Sequence, residues 1–190
     1  MPERPSSRSP GRSPGRSPGH SVLAVPVFEL EEFVRGRTAY YDDSFLSADP
    51  AFAHAHITLL GPWLTEPTER DVAAVHDVLS DAEPFETVLA CVEEFPDGLI
   101  HLRPRPEEPL RALTAAFVER FPGCPPYAGR FEDPVPHLTL DRRSDGVDVA
   151  RVAAALDGML PVRFRVDRVD LQWWANHDCH VRHSWKLGTA

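Results

Sequence analysis

The tripeptide pattern His-x-Thr occurs twice, at His56-Ile57-Thr58 and at His137-Leu138-Thr139, and each copy continues with leucine. Residues two apart on a β-strand share a face, so each copy is predicted to present an imidazole beside a hydroxyl above an aliphatic core. Two imidazoles that face one another suit proton transfer, because an unperturbed histidine titrates near pH ~6.5. One neutral ring can accept a proton from water or a ribose hydroxyl, while the other, when protonated, donates one to a leaving oxygen.

The threonine hydroxyls Thr58 and Thr139 complete this chemistry. Hydroxyl donors stabilise negative charge on non-bridging oxygens, and a phosphodiester between the two histidines needs attack on one side and departure on the other. The four groups therefore predict cleavage or formation of a phosphodiester, with no metal or cofactor required. Which histidine acts as base and which as acid stays open.

The surrounding elements repeat in the order strand, helix, His-x-Thr strand, helix, strand, with approximate halves 21–97 and 98–190. Such a repeat predicts a single pseudo-symmetric α+β domain over 21–190. The apolar patterns predict helices near 29–41, 68–79, 107–121 and 147–156, the second capped by Thr65 or Thr68. They also predict strands at 21–28, 85–93, 99–102, 162–173 and 180–187, besides the two motif strands. Residues 1–20 contain three Arg-Ser-Pro-Gly repeats and are predicted to be a disordered tail.

The paired motifs, their order and their repeat resemble the 2H phosphoesterase superfamily, the 2′-5′ RNA ligases and cyclic phosphodiesterases with a LigT-like fold. The resemblance covers most of residues 21–190. It implies a bilobal, pseudo-two-fold α+β fold in which two antiparallel sheets form a central cleft, with helices outside. It also implies that His56 and His137 are catalytic and that Thr58 and Thr139 bind phosphate.

Two further residues enter through the same resemblance. The stretch from His137 to Arg142 matches the family pattern His-x-Thr-Leu-x-Arg, which makes Arg142 a candidate phosphate contact. The segment around Pro125-Pro126-Tyr127 is similar to the bacterial 2′-5′ RNA ligase branch. Tyr127 is therefore a candidate substrate-binding residue, and its ring, like those of Trp173 and Trp174, could stack on a base.

The expected substrate is an RNA end or a small nucleotide with a 2′,3′-cyclic phosphate or a 2′-5′ linkage, with 2′-5′ ligation as the reverse reaction. The net charge of −9 argues against a general nucleic-acid binder, which needs a basic face. No apolar run is long enough for a membrane, and three dispersed cysteines favour a reducing cytoplasm. We expect a monomer without an obligate protein partner.

Two alternatives remain open. A binding module would keep the cleft and its phosphate contacts without turnover. A zinc hydrolase could use His54 and His56, which would share a strand face, with a third ligand. A second histidine-rich group is better explained by loop and surface positions, and comprises His177, Cys179, His180 and His183.

Overall fold

The computed structural model describes residues 19–189, so residues 1–18 of the predicted tail lie outside the described part of the chain. Four α-helices are present there: α1 (Glu31–Tyr41), α2 (Glu69–Ser80), α3 (Glu108–Arg120) and α4 (Val149–Ala155). Eight strands accompany them: β1 (His20–Pro26), β2 (His56–Leu60), β3 (Phe85–Glu94), β4 (Leu99–Arg105), β5 (Leu138–Arg142), β6 (Val162–Val166), β7 (Arg168–Trp174) and β8 (His180–Lys186). The first strand opens at His20, one residue before the predicted domain boundary.

All eight strands form one antiparallel sheet in the order β6-β3-β4-β5-β2-β1-β7-β8. The two central strands, β2 and β5, are joined only through the pair Ile57 and Leu138. The predicted α+β class and LigT-like arrangement are confirmed. The two predicted sheets differ from the structure in one respect, since this single pair joins two four-stranded lobes into a continuous sheet.

The predicted single strand 162–173 is wrong, because the structure divides it at Asp167 into β6 and β7. The strand β6 pairs with β3 at one edge of the sheet, whereas β7 pairs with β1 in the other lobe. Apolar residues alternate with charged ones through Val162, Phe164 and Val166, and this alternation resumes out of phase at Val169 and Leu171. That slip in the period of two is the local sign of the break, since a continuous half-buried strand keeps its phase.

The helices cover one face of the sheet and bury its apolar side chains. In α3, Leu110, Leu113 and Phe117 are buried, and this helix packs against β2 and α2. Ile57 and Leu138 belong to the same core and are fully buried. Of the two predicted caps for α2, Thr68 is the one used, in a capping box with Asp71. The opposite face of β2 and β5 lines the cleft.

Candidate active site

The junction of β2 and β5 brings all four motif side chains to one face of the sheet. The paired residues Ile57 and Leu138 point into the core, so the residues on either side of each must point the other way. His56, Thr58 and His137 are half-buried on that face, and Thr139 is exposed. Diagonal neighbours on adjacent antiparallel strands lie about 7–8 Å apart, a separation that leaves room for a phosphate between the imidazoles.

Each motif histidine is held by the same backbone contact. His56 Nδ1 lies 2.8 Å from the carbonyl oxygen of His54, and His137 Nδ1 lies 2.8 Å from the carbonyl oxygen of Val135. A carbonyl only accepts, so each Nδ1 carries the proton and donates it. In the neutral ring, Nε2 is then an acceptor available to the cleft.

Burial favours the neutral form of both imidazoles. The pKa of His56 is lowered to about 4, mainly by burial. The hydrogen bond to the His54 carbonyl opposes this shift, and the positive charge of a protonated His137 adds to it. The pKa of His137 is also lowered, first by burial, while its hydrogen bond to Val135 opposes the shift and repulsion from His101 adds to it. Both rings are therefore neutral near pH 7 in the free protein, which is the state a general base requires.

The two threonine hydroxyls are uncommitted. Within the described residues 19–189, neither Thr58 nor Thr139 has a hydrogen bond from its side chain. A hydroxyl without a protein partner beside a histidine is able to donate to an oxygen of a ligand. The structure thus brings together the four residues that the sequence singled out.

Cavities flank the histidine pair at both ends of the β2–β5 junction. At one end, the α1 pocket of about 570 Å³ lies beside His56 and Thr139 and is bordered by Arg37 and Tyr41 of α1. At the other end, the loop pockets of about 430 and 500 Å³ share Tyr127, Arg130 and Phe131 as lining residues. Of these two, the smaller reaches His56 and Thr58, and the larger reaches His137.

Tyr127 stands over the second motif. Its ring lies parallel to that of His137, with centroids 6.2 Å apart and planes 18° from one another. Its backbone has φ +52° and its N–H donates to the carbonyl oxygen of Gly61 at 2.6 Å. Burial raises the pKa of Tyr127 to about 12, so the phenol stays protonated and can donate a hydrogen bond at neutral pH.

Arg142 lies at the end of β5 and borders both the α1 pocket and the larger loop pocket. Its Nη1 donates to the carbonyl oxygen of Asp97 at 2.8 Å, and the side chain remains 57% exposed. Its Nη2 also lies 3.5 Å from Asp97 Oδ2. A guanidinium has five N–H donors, so these two contacts to one turn residue leave others for a phosphate.

The sequence indicated only some of the aromatic residues that lie next to the two motif histidines. The ring of Trp174, one of the three candidate stacking residues, lies 5.3 Å from that of His56. His101 was missed altogether: it is opposite Thr139 in the β4–β5 register, its ring is 5.5 Å from that of His137, and Phe95 stacks on it at 3.7 Å. No local pattern marks His101, because its place depends on strand pairing.

The proposed zinc pair of His54 and His56 is not available. His54 precedes β2 rather than sharing its face, and it is buried. Its Nδ1 contacts Glu31 Oε1 at 2.5 Å, and its Nε2 accepts from the backbone N–H of Ser47 at 3.2 Å. Both ring nitrogens are engaged, so His54 has no lone pair for a metal. Among residues 19–189 no group of histidine, cysteine and acidic side chains is arranged to hold a metal ion.

Solved structures with the same fold support the class. Escherichia coli LigT complexed with 3′-AMP matches with 18% identity and a TM-score of 0.53, over 91% of this chain and all of that one. A protein described as a phosphoesterase has 16% identity and the same coverage and TM-score. The protein TT0787 of Thermus thermophilus has 20% identity and a TM-score of 0.52, over 89% of this chain and 98% of that one. These structures show that the chain has a LigT-like fold.

The family follows from the sequence comparison. Residues 26–178 match the family model described as the 2′-5′ RNA ligase superfamily, and the chain belongs to that superfamily. The search of curated proteins found no match to this chain. Within the described residues, none of the helices has the length and apolar character that a membrane span needs.

Proposed function

We propose that this protein is a metal-independent phosphoesterase that opens 2′,3′-cyclic phosphates or cleaves 2′-5′ phosphodiesters of RNA ends or small nucleotides. The observation that carries the proposal is the matched anchoring of the two imidazoles, each with Nδ1 at 2.8 Å from a carbonyl oxygen. This leaves two Nε2 atoms on one face of the sheet, beside two hydroxyls without protein partners. The 3′-AMP bound to Escherichia coli LigT is consistent with a nucleotide in such a cleft.

In this mechanism one histidine acts as base and the other as acid. The neutral Nε2 of the first removes a proton from water as the water oxygen attacks phosphorus, and the bond from phosphorus to the leaving ribose oxygen breaks. The negative charge of the bound phosphate favours protonation of the second imidazole, and its Nε2 gives this proton to the leaving oxygen. Thr58 and Thr139 donate to the non-bridging oxygens, with Arg142 as an additional phosphate contact and Tyr127 beside the substrate. With the 5′-hydroxyl of a second strand in place of water, the same two proton transfers open a 2′,3′-cyclic phosphate. The bond from phosphorus to the 3′ oxygen breaks, and a 2′-5′ linkage forms.

Histidines in both motifs favour an enzyme over a binding module, because arginine would serve better for phosphate binding alone. The three cysteines are free, in keeping with a cytoplasmic setting.

The test is a hydrolysis screen with a chelator present throughout, using 2′,3′-cyclic nucleotides, 2′-5′ dinucleotides and RNA with a cyclic end. The wild type is expected to turn over at least one of these, and the variant with both His56→Ala and His137→Ala none. Binding without turnover by the wild type would indicate the binding module, and turnover abolished by the chelator would overturn metal independence.

A further inference from the structure

The C-terminal end of α1 carries two exposed aromatic rings beside the catalytic cleft. Tyr40 is 73% exposed and Tyr41 is 54% exposed, and their ring centroids are 5.2 Å apart. The guanidinium carbon of Arg37 lies 4.9 Å from the first ring and 5.1 Å from the second. Large aromatic groups left in solvent and grouped with a cation are typical of a binding surface.

Tyr41 is fixed in place although its ring is exposed. Its hydroxyl donates to Asp141 Oδ1 at 2.5 Å, and Arg37 Nη2 lies 2.6 Å from Asp141 Oδ2. The Asp141 side chain is only 3% exposed, and the backbone N–H of Arg142 donates to it as well. A ring that is already immobile loses little side-chain entropy when a ligand covers it, which favours binding.

The position of this ring relates it to the proposed reaction. Tyr41 and Arg37 border the α1 pocket together with His56 and Thr139, so this pocket adjoins the place of the phosphate. The other end of the junction already has its own aromatic residue, Tyr127, next to His137. Tyr41 therefore lies beside the one cavity of the α1 end, and Tyr127 lies beside the two cavities of the loop end.

The aromatic residues next to the two motifs differ in exposure. Tyr127 at the loop end is half-buried, whereas Tyr41 at the α1 end is exposed and adjoins the still more exposed Tyr40. A terminal nucleoside is better enclosed beside the half-buried ring, and a chain that continues has the exposed rings of α1 to follow.

We propose that Tyr41, held by Asp141 and Arg37, is a stacking platform for the nucleobase that precedes the terminal nucleotide of an RNA strand. The inference rests on the proposed function and specifies its substrate as an oligonucleotide end, preferred over a mononucleotide. Stacking of one base on an aromatic ring strengthens binding roughly ten-fold, and every base can stack in this way.

The experiment compares binding of a dinucleotide ending in a 2′,3′-cyclic phosphate with binding of the matching mononucleotide. Both affinities are measured in the His56→Ala/His137→Ala background, so the result does not depend on turnover and separates this inference from the proposed function. Tyr41→Ala is expected to reduce the ratio of the two affinities roughly ten-fold, the effect of one stacked base. Tyr41→Phe, which keeps the ring, is expected to retain most of the ratio.

Phe28→Ala is the matched control, because Phe28 is also exposed, at 45%, with the guanidinium carbon of Arg168 5.2 Å from its ring, yet it borders a different cavity. An unchanged ratio in Tyr41→Ala, or an equal loss for both ligands, would overturn the platform. Self-association of the wild type that Tyr41→Ala abolishes, with the ratio intact, would instead assign these rings to an interface between copies.

Discussion

His56 on β2 and His137 before β5 each donate Nδ1–H to the carbonyl oxygen two residues earlier, and both distances are 2.8 Å. Their surroundings differ. His56 has Trp174 beside it, and His137 has His101, Phe95 and Tyr127. The repeat has kept the backbone contact that orients each imidazole and varied the side chains around it.

The supports behind the two histidines differ as well. In the first lobe, the Glu31 carboxylate accepts from the backbone N–H of Ala55 at 3.0 Å and contacts His54 Nδ1. In the second lobe, the residue whose carbonyl is used, Val135, stands between Pro134 and Pro136. The first lobe supports this part of the backbone with a half-buried carboxylate, and the second restricts it with the two fixed φ angles of the prolines.

After the two histidines, the two threonines are the residues whose substitution is expected to lower activity most, and they test whether the two motifs are equivalent. Thr58→Val and Thr139→Val each remove one uncommitted donor, and kcat/KM for the preferred cyclic or 2′-5′ substrate is expected to fall about 100-fold in each. Thr→Ser at the same positions keeps the hydroxyl and is the control. Loss of activity in only one of the two valine variants would show that the two threonines are not equivalent. Wild-type activity in both variants would show that neither threonine binds the phosphate.

The next largest effect is expected on stability, from removal of the Glu31 carboxylate. Glu31→Ala leaves His54 and the Ala55 N–H without their acceptor, and the free energy of unfolding is expected to fall by about 2–3 kcal/mol. Urea unfolding measures this, with the exposed neighbour Glu32→Ala as control. Pro134→Ala in the other lobe, where the ring is only half-buried, is expected to cost less, about 1 kcal/mol or below, since its main contribution is to chain entropy. Equal losses from Glu31→Ala and Pro134→Ala would contradict the difference in support.

The buried imidazole of His56 predicts a pH dependence of stability. Its pKa is about 4 when folded and near the ordinary 6.5 when unfolded, so the unfolded chain binds the extra proton between these values. Stability from this group is complete above pH 6.5 and declines as the pH falls, by about 1–2 kcal/mol at pH 5. His56→Gln should flatten the decline measured by urea unfolding between pH 7 and 5, whereas the exposed His76→Gln should not. Parallel curves for wild type and His56→Gln would show that His56 is not held neutral.

Short-range patterns were sufficient for most of the fold. Alternation located both motif strands, and helical periodicity located all four helices, because each depends on residues a few positions apart. The break at Asp167 was visible only as a slip of phase between Val166 and Val169, and the expected strand ran through it.

The four motif residues of the candidate site could be predicted from the sequence, but the residues that surround them could not. The motif spacing placed His56, Thr58, His137 and Thr139 on one face, and the structure agrees. The contact between Tyr41 and Asp141 spans 100 positions, and the place of His101 opposite Thr139 follows from the β4–β5 register. Neither has a local signal, since both depend on long-range pairing.

The central claim is that His56 and His137 act on one phosphate as a pair. Its most direct test is kcat/KM for the preferred substrate in His56→Ala, His137→Ala and the double variant, each shown to be folded, with His76→Ala as control. Acid–base groups that act as a unit are not additive, so each single variant is expected to lose about 10²–10⁴-fold and the double variant little more. Full activity in either single variant, or losses that multiply in the double, would contradict the pair.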